Sequence, residues 1–181
     1  MSFKKDIRTL GVNAVTELNE VNAAIKDLES KKEGYYKPTY DKMMQELVDK
    51  RDTLITGTQR KAKELAEAYK KDKAASLAPK GAELTEDAAL LTSGLNLTAA
   101  ELEALFDKHK GNATMQRLVS EYANKNEIAI SRVATTAKDY NEAADNMLGY
   151  INSALQRPEY ADIFNSDDYF NQITPACMNE D

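Results

Sequence analysis

The sequence predicts an all-α protein: a long antiparallel, coiled-coil-like helical hairpin, a cluster of short helices, and a further long amphipathic helix towards the C-terminus. Three observations carry this. Ala, Leu, Glu and Lys, which cost least in a helix interior, recur throughout the 181 residues, with only 7 Gly, 4 Pro and no Trp. Apolar positions repeat every three and four residues over two long stretches. Gly34, Pro38, Pro79, Gly81, Gly94, Gly111 and Pro158 fall at the points that divide the helical stretches.

The first arm runs from Phe3 to Glu33. Ile7, Ala14, Val21 and Leu28 form one row and Gly11, Leu18 and Ile25 the other, in alternating steps of four and three. That is the seam of a coiled coil or helical hairpin. Gly11 leaves one layer thin and permits close approach of a partner backbone. Gly34-Tyr35-Tyr36-Lys37-Pro38 breaks the pattern, because Gly suits a helix C-cap and Pro disfavours helix in the residue before it. A second arm from Thr39 to Ala75 carries Tyr40, Met44, Leu47, Leu54, Ile55, Ala62, Leu65 and Tyr69 on a broader stripe, weakened near Gly57. Two helices joined by so short a link pack antiparallel.

Leu77-Ala78-Pro79-Lys80-Gly81 reads as the main linker. Between Glu86 and Asn124 three short helices are expected. The first has an acidic start at Thr85-Glu86-Asp87 and closes at Gly94. Thr98-Ala99-Ala100-Glu101 has the form of a capping box, with Leu97 and Leu102 placed to staple it. Asn112 caps the third, which presents Met115, Leu118, Val119 and Tyr122. A last long helix is expected from the row Ile130, Val133, Ala137, Tyr140, Ala144, Met147, Ile151 and Ala154, ending at Arg157-Pro158. The expected organisation is residues 1–77 as hairpin arm, 78–125 as short-helix cluster, 126–157 as heptad helix and 158–181 as an acidic, aromatic tail that docks on a neighbour or stays mobile.

Charge is unevenly placed. Residues 1–77 hold sixteen Lys or Arg against thirteen Asp or Glu, and residues 78–181 hold eight against seventeen, for a net charge of −6. The two halves can attract one another within a chain or between copies, while the total argues against nucleic-acid binding, which needs a basic face. No apolar run is long enough for a secretory signal or a membrane helix, which predicts synthesis in the cytoplasm and no membrane partner.

The chemistry-bearing residues predict a protein that is not an enzyme. His109 is the single histidine and reads as a surface residue in the last turn of a helix. Cys177, the single cysteine, reads as a solvated thiol in a tail too loose to hold a nucleophile. The Asp107–Asn112 stretch lacks the alternating oxygens of a calcium loop, no helix carries paired metal ligands, and the glycines do not cluster before a helix as a phosphate loop requires. Neither cofactor nor metal is expected. Asn96-Leu97-Thr98 and Asn112-Ala113-Thr114 match a glycosylation sequon, but helix capping accounts for both. The residues expected to make contacts are instead apolar and aromatic: Leu18, Ile25 and Leu28 on the first seam, Tyr35 and Tyr36 at the bend, and Val133, Tyr140, Met147 and Ile151 on the last.

The segments Glu83-Leu84-Thr85-Glu86-Asp87-Ala88-Ala89-Leu90-Leu91, Leu97-Thr98-Ala99-Ala100-Glu101-Leu102 and Asn112-Ala113-Thr114-Met115 resemble helical proteins encoded among capsid and tail genes of phages and prophages of Gram-positive bacteria. The order of a heptad arm, a Tyr-Pro bend, a second arm and a leucine-rich cluster is also similar. The resemblance spans residues 20–126 and implies a structural or assembly role, as a scaffold-like, accessory or minor virion component, with the chain itself or another structural protein as partner. It carries over no catalytic residue. The alternative is an adaptor that binds a partner protein through the acidic C-terminal half.

Overall fold

A computed structural model describes residues 2–157, 160 and 162–178, and every regular element among them is helical. The α-helices are α1 (Phe3–Ser30), α2 (Lys37–Ser76), α3 (Ala88–Thr92), α4 (Ala99–Lys108), α5 (Ala113–Lys125), α6 (Ala137–Gln156), α7 (Asp162–Asn165) and α8 (Asp167–Ile173). Short 3-10 turns occupy Lys32–Gly34, Gly81–Glu83 and Ala176–Met178. Contacts divide the chain into two compact units, one of Met1–Lys70 with Tyr140–Asp181 and the other of Lys71–Asp139. Pro158, Glu159 and Ala161, which open the expected tail, and residues 179–181, which close it, lie outside the described residues.

The hairpin follows the heptads. Ser2 caps α1, its hydroxyl accepting from the Lys5 N–H at 3.4 Å. Ile7, Gly11, Ala14, Leu18, Val21 and Leu28 are buried along one face of α1, and Ile25 is half-buried. The chain turns through Lys32–Gly34 and an extended Tyr35. Pro38 falls in the first turn of α2, where its missing N–H has no intrahelical acceptor to lose. α2 then runs unbroken through Gly57 and returns antiparallel to α1, so that Phe3 stacks on Tyr69 with ring centroids 4.5 Å apart.

α6 packs back on α1 and α2 and completes the core of the first unit. It is buried at Tyr140, Ala143, Ala144, Met147, Ile151, Ala154 and Leu155. Tyr140 meets the edge of Tyr69 at 6.0 Å, and Asp145 accepts from Lys70 Nζ at 2.6 Å. That carboxylate holds the Lys70 ammonium above its ordinary pKa.

The helix expected over 126–157 starts late. Ile130 and Val133 have helical spacing yet lie outside any helix, and α6 begins at Ala137. Side-chain competition for the backbone explains this. The Asp139 carboxylate accepts from the Thr136 N–H at 2.6 Å, which places a cap at Thr136 and holds the Asp139 carboxyl below its ordinary pKa. Upstream, Glu103 accepts from the Ser131 N–H at 2.7 Å and Ser120 Oγ from the Ala134 N–H at 3.1 Å. Glu127 turns the chain out of α5 with φ +55°. Those bonds would have to break for residues 130–136 to coil.

The tail folds against α1. Phe164 and Phe170 are fully buried, their rings 6.0 Å apart. Arg8 holds both segments: its Nε donates to the Phe164 carbonyl at 3.0 Å, its guanidinium lies 5.2 Å from the Phe170 ring centroid, and it pairs with Asp167 at 2.5 Å. Gly11 makes room for this. A Cβ there would sit 2.6 Å from the Phe164 ring, so the thin layer of the seam receives an aromatic side chain of the same chain, where the sequence suggested a partner backbone.

In the second unit the caps fall where the sequence puts them. Thr98 and Glu101 form a reciprocal capping box at the start of α4, and Asn112 Oδ1 accepts from the Met115 N–H at 2.9 Å at the start of α5. Leu102, Phe106, Val119 and Ala123 form the core between these helices, with Leu91, Leu97, Tyr122, Ile128 and Ile130 packed against it. Replacing Thr98 by Ala is expected to cost about 1 kcal/mol. This is read as a lower denaturant midpoint at unchanged slope, and an unmoved midpoint would contradict the assignment.

Candidate functional site

The residues expected to make contacts divide into two groups. Leu18, Leu28, Tyr140, Met147 and Ile151 are buried inside the first unit, and Ile25 is half-buried. Their apolar area is spent on packing within the chain. Tyr35 and Tyr36 remain exposed at the bend, at 38% and 77%, and Val133 is 67% exposed in the second unit.

The surface left open on the hairpin follows from helix lengths. At about 1.5 Å per residue, the 40 residues of α2 reach roughly 60 Å and the 20 of α6 roughly 30 Å. α6 approaches α2 at Thr58, which shares a small cavity with Ile151 and Ala154, at Tyr69, which meets Tyr140, and at Lys70, which pairs with Asp145. α2 has no buried residue from Lys37 to Gly57. Met44, Leu47, Val48, Leu54 and Ile55 are only half-buried there, and Met43 is exposed. Along this distal part the apolar side chains of α2 are half-covered, and Met43, Tyr35 and Tyr36 are exposed. Charges on it pair locally, such as Lys31 with Asp27 at 2.7 Å, and exposed pairs of this kind contribute little to stability.

His109 departs from its surface reading. It caps the C-terminus of α4 and is buried, with Nε2 2.8 Å from Asp87 Oδ2 and 3.5 Å from Thr85 Oγ1. Lys108 Nζ reaches the same Asp87 oxygen at 2.6 Å, and Lys108 followed by His109 holds the Asp87 carboxyl below its ordinary pKa. The carboxylate is thus engaged by two cationic or hydrogen-bonding groups, an arrangement that fastens the chain before α3 onto α4. Cys177 is half-buried in the first unit and forms no disulfide.

A groove of 460 Å³ in the second unit is lined by Ala74, Leu77, Ala113, Val133 and Ala134, with Arg117 and Glu121 paired to each other at 2.7 Å beside it. A second groove, between α1 and α2, is bounded by Asp6, Leu10, Lys61 and Leu65. Apolar walls of this sort accept side chains. Among the described residues no group of three or more His, Cys, Asp or Glu is placed to hold a metal ion, and no helix is long and apolar enough to cross a membrane.

Sequence reasoning gives no hint of Arg8, Phe164 or Phe170 in these roles and reads Asp87 only as part of an acidic helix start, because each acts on residues far away in the chain. Comparison with family models, curated proteins and solved structures finds no match.

Proposed function

We propose that this is a non-enzymatic structural or assembly protein that works by helix-to-helix association through the distal half of its hairpin. The observation that carries the reading is the stretch of α2 from Lys37 to Gly57, whose half-buried apolar stripe extends past the residues met by α6. A stripe with helical period that a third helix covers at one end and leaves open at the other suits a further helical partner. Exposed Tyr35 and Tyr36 add anchors that bring apolar area and a hydrogen-bonding tip. The likeness to helical proteins from capsid and tail gene clusters supports a virion or assembly setting, as a scaffold-like, accessory or minor component.

The test is mass in solution. Sedimentation equilibrium on the wild-type chain should give more than one chain per particle, and Tyr36→Asp with Met43→Glu should return it to one without loss of helicity. Both side chains are exposed, so the folded hairpin tolerates the change. A wild-type particle of one chain at all concentrations, or a double variant that still associates, would refute the reading.

A further inference from the structure

Residues 80–93 lie across α4 and α5, and the grip of this segment is polar. Neither its 3-10 turn, Gly81–Glu83, nor α3 contributes a buried residue, and Leu84 and Leu90 are exposed. Leu91 is its half-buried apolar contact with the Leu102, Phe106, Val119 and Ala123 cluster. Two carboxylates carry the charged part of the fastening, beside neutral bonds from the Lys80 N–H to Thr114 Oγ1 at 3.1 Å and between Thr85 Oγ1 and His109 Nε2 at 3.5 Å. Glu83 accepts from the Thr114 hydroxyl at 2.8 Å and pairs with Lys80 at 3.1 Å, while its carbonyl accepts from the Asn112 amide at 2.7 Å. Asp87 takes Lys108 at 2.6 Å and His109 at 2.8 Å. Arg117 and Glu121 border Lys80, Gly81 and Leu84 from α5 but are paired with each other. The far end turns at Gly94, φ +79°, after which Tyr122 anchors the chain through the Leu95 carbonyl at 2.5 Å.

We propose that residues 80–93 are an acid-released strap: protonation of Glu83 and Asp87 frees this segment as a unit, while α4 and α5 stay folded, and uncovers the edge of the cluster on which Leu91 rests. A segment with few buried apolar contacts opens at lower free energy than the helices beneath it. The direction with pH follows from both carboxyls lying below their ordinary range, Glu83 through the Thr114 hydroxyl and then Lys80, Asp87 through Lys108 and then His109. A depressed folded value gives stability that is complete above the unfolded value and lost as pH falls through the folded one. Release therefore begins near about pH 4, where free carboxyls titrate, and completes below it. The device is independent of the assembly reading.

Hydrogen–deuterium exchange on the full chain tests it. In Glu83→Gln with Asp87→Asn at neutral pH, amides of residues 84–92 should exchange about tenfold faster or more, with residues 102–106 and 115–123 protected as in wild type. A strap as protected as in wild type, or α4 and α5 opening in step with it, overturns the proposal. Should the double variant not fold, the wild-type chain decides. After correction for intrinsic rates, moving from neutral pH to well below about pH 4 should deprotect the strap before α4 and α5; loss of protection across all three segments together, or none, overturns the proposal.

Discussion

Gly11→Val is expected to lower the thermal midpoint by roughly 5–10 °C, through overpacking of about 2–3 kcal/mol in a chain of this size. The added Cβ would stand 2.6 to 2.9 Å from three atoms of the Phe164 ring, well inside contact distance. That ring cannot slide away cheaply. It is fully buried, its own carbonyl is held by Arg8, and the space it shares with Ala14, Val15, Thr58 and Ile151 admits no water-sized void. The gain in helix propensity on replacing Gly is at most about 1 kcal/mol and does not offset the clash. Phe164→Ala alone should cost about 3–5 kcal/mol by emptying the site. The two changes together should cost less than their sum by at least about 1 kcal/mol, since the introduced valine side chain fills part of the space that the ring vacates. Additive effects would show that Gly11 and Phe164 do not meet.

Ile151→Asp has the other large expected effect. Ile151 is 1% exposed on the face of α6 that meets Gly11, Ala14, Val15 and Thr58. A carboxylate there loses the buried side chain and gains a charge with no partner, a cost of at least about 4 kcal/mol, comparable with the stability of a small domain. The expected result is loss of amide protection over α1, the C-terminal half of α2 and α6 together, because these three share one core. Ile151→Val, which removes one methyl, should cost only about 0.5–1.5 kcal/mol. An aspartate variant within about 1 kcal/mol of wild type would place Ile151 outside a packed core.

How much can be read in the sequence follows from the range of each interaction. The α1 seam, the bend before Pro38, the capping box at Thr98 and the Asn112 cap depend on residues within seven positions of one another, and each is where the pattern puts it. The start of α6 falls later than the pattern predicts because Ile130 and Val133 keep the step of three and four by spacing alone. Glu103 and Ser120, distant in sequence, bind that backbone in a non-helical path. The tail is illegible for the same reason. Phe164 and Phe170 fit no repeat, and their partners Arg8 and Gly11 stand more than 150 residues earlier. His109 has the local setting of an exposed helix end, and only the fold brings Asp87 and Thr85 over it. Of the residues singled out for contacts, the pattern marks which are apolar and on one face. It holds no information on which are covered by their own chain, since a heptad row reads alike for an internal and an external partner.

The central claim is that α6 packs on α2 of its own chain. Lys70 and Asp145 give it a direct probe, because their ammonium and carboxylate lie 2.6 Å apart and a carbodiimide would join them as an amide without a spacer. In an equal mixture of isotopically light and heavy chains, refolded together, the Lys70–Asp145 cross-linked peptide should appear only as light-with-light and heavy-with-heavy. Mixed light-with-heavy peptides at the statistical frequency would show that α6 is exchanged between chains, and would contradict the account.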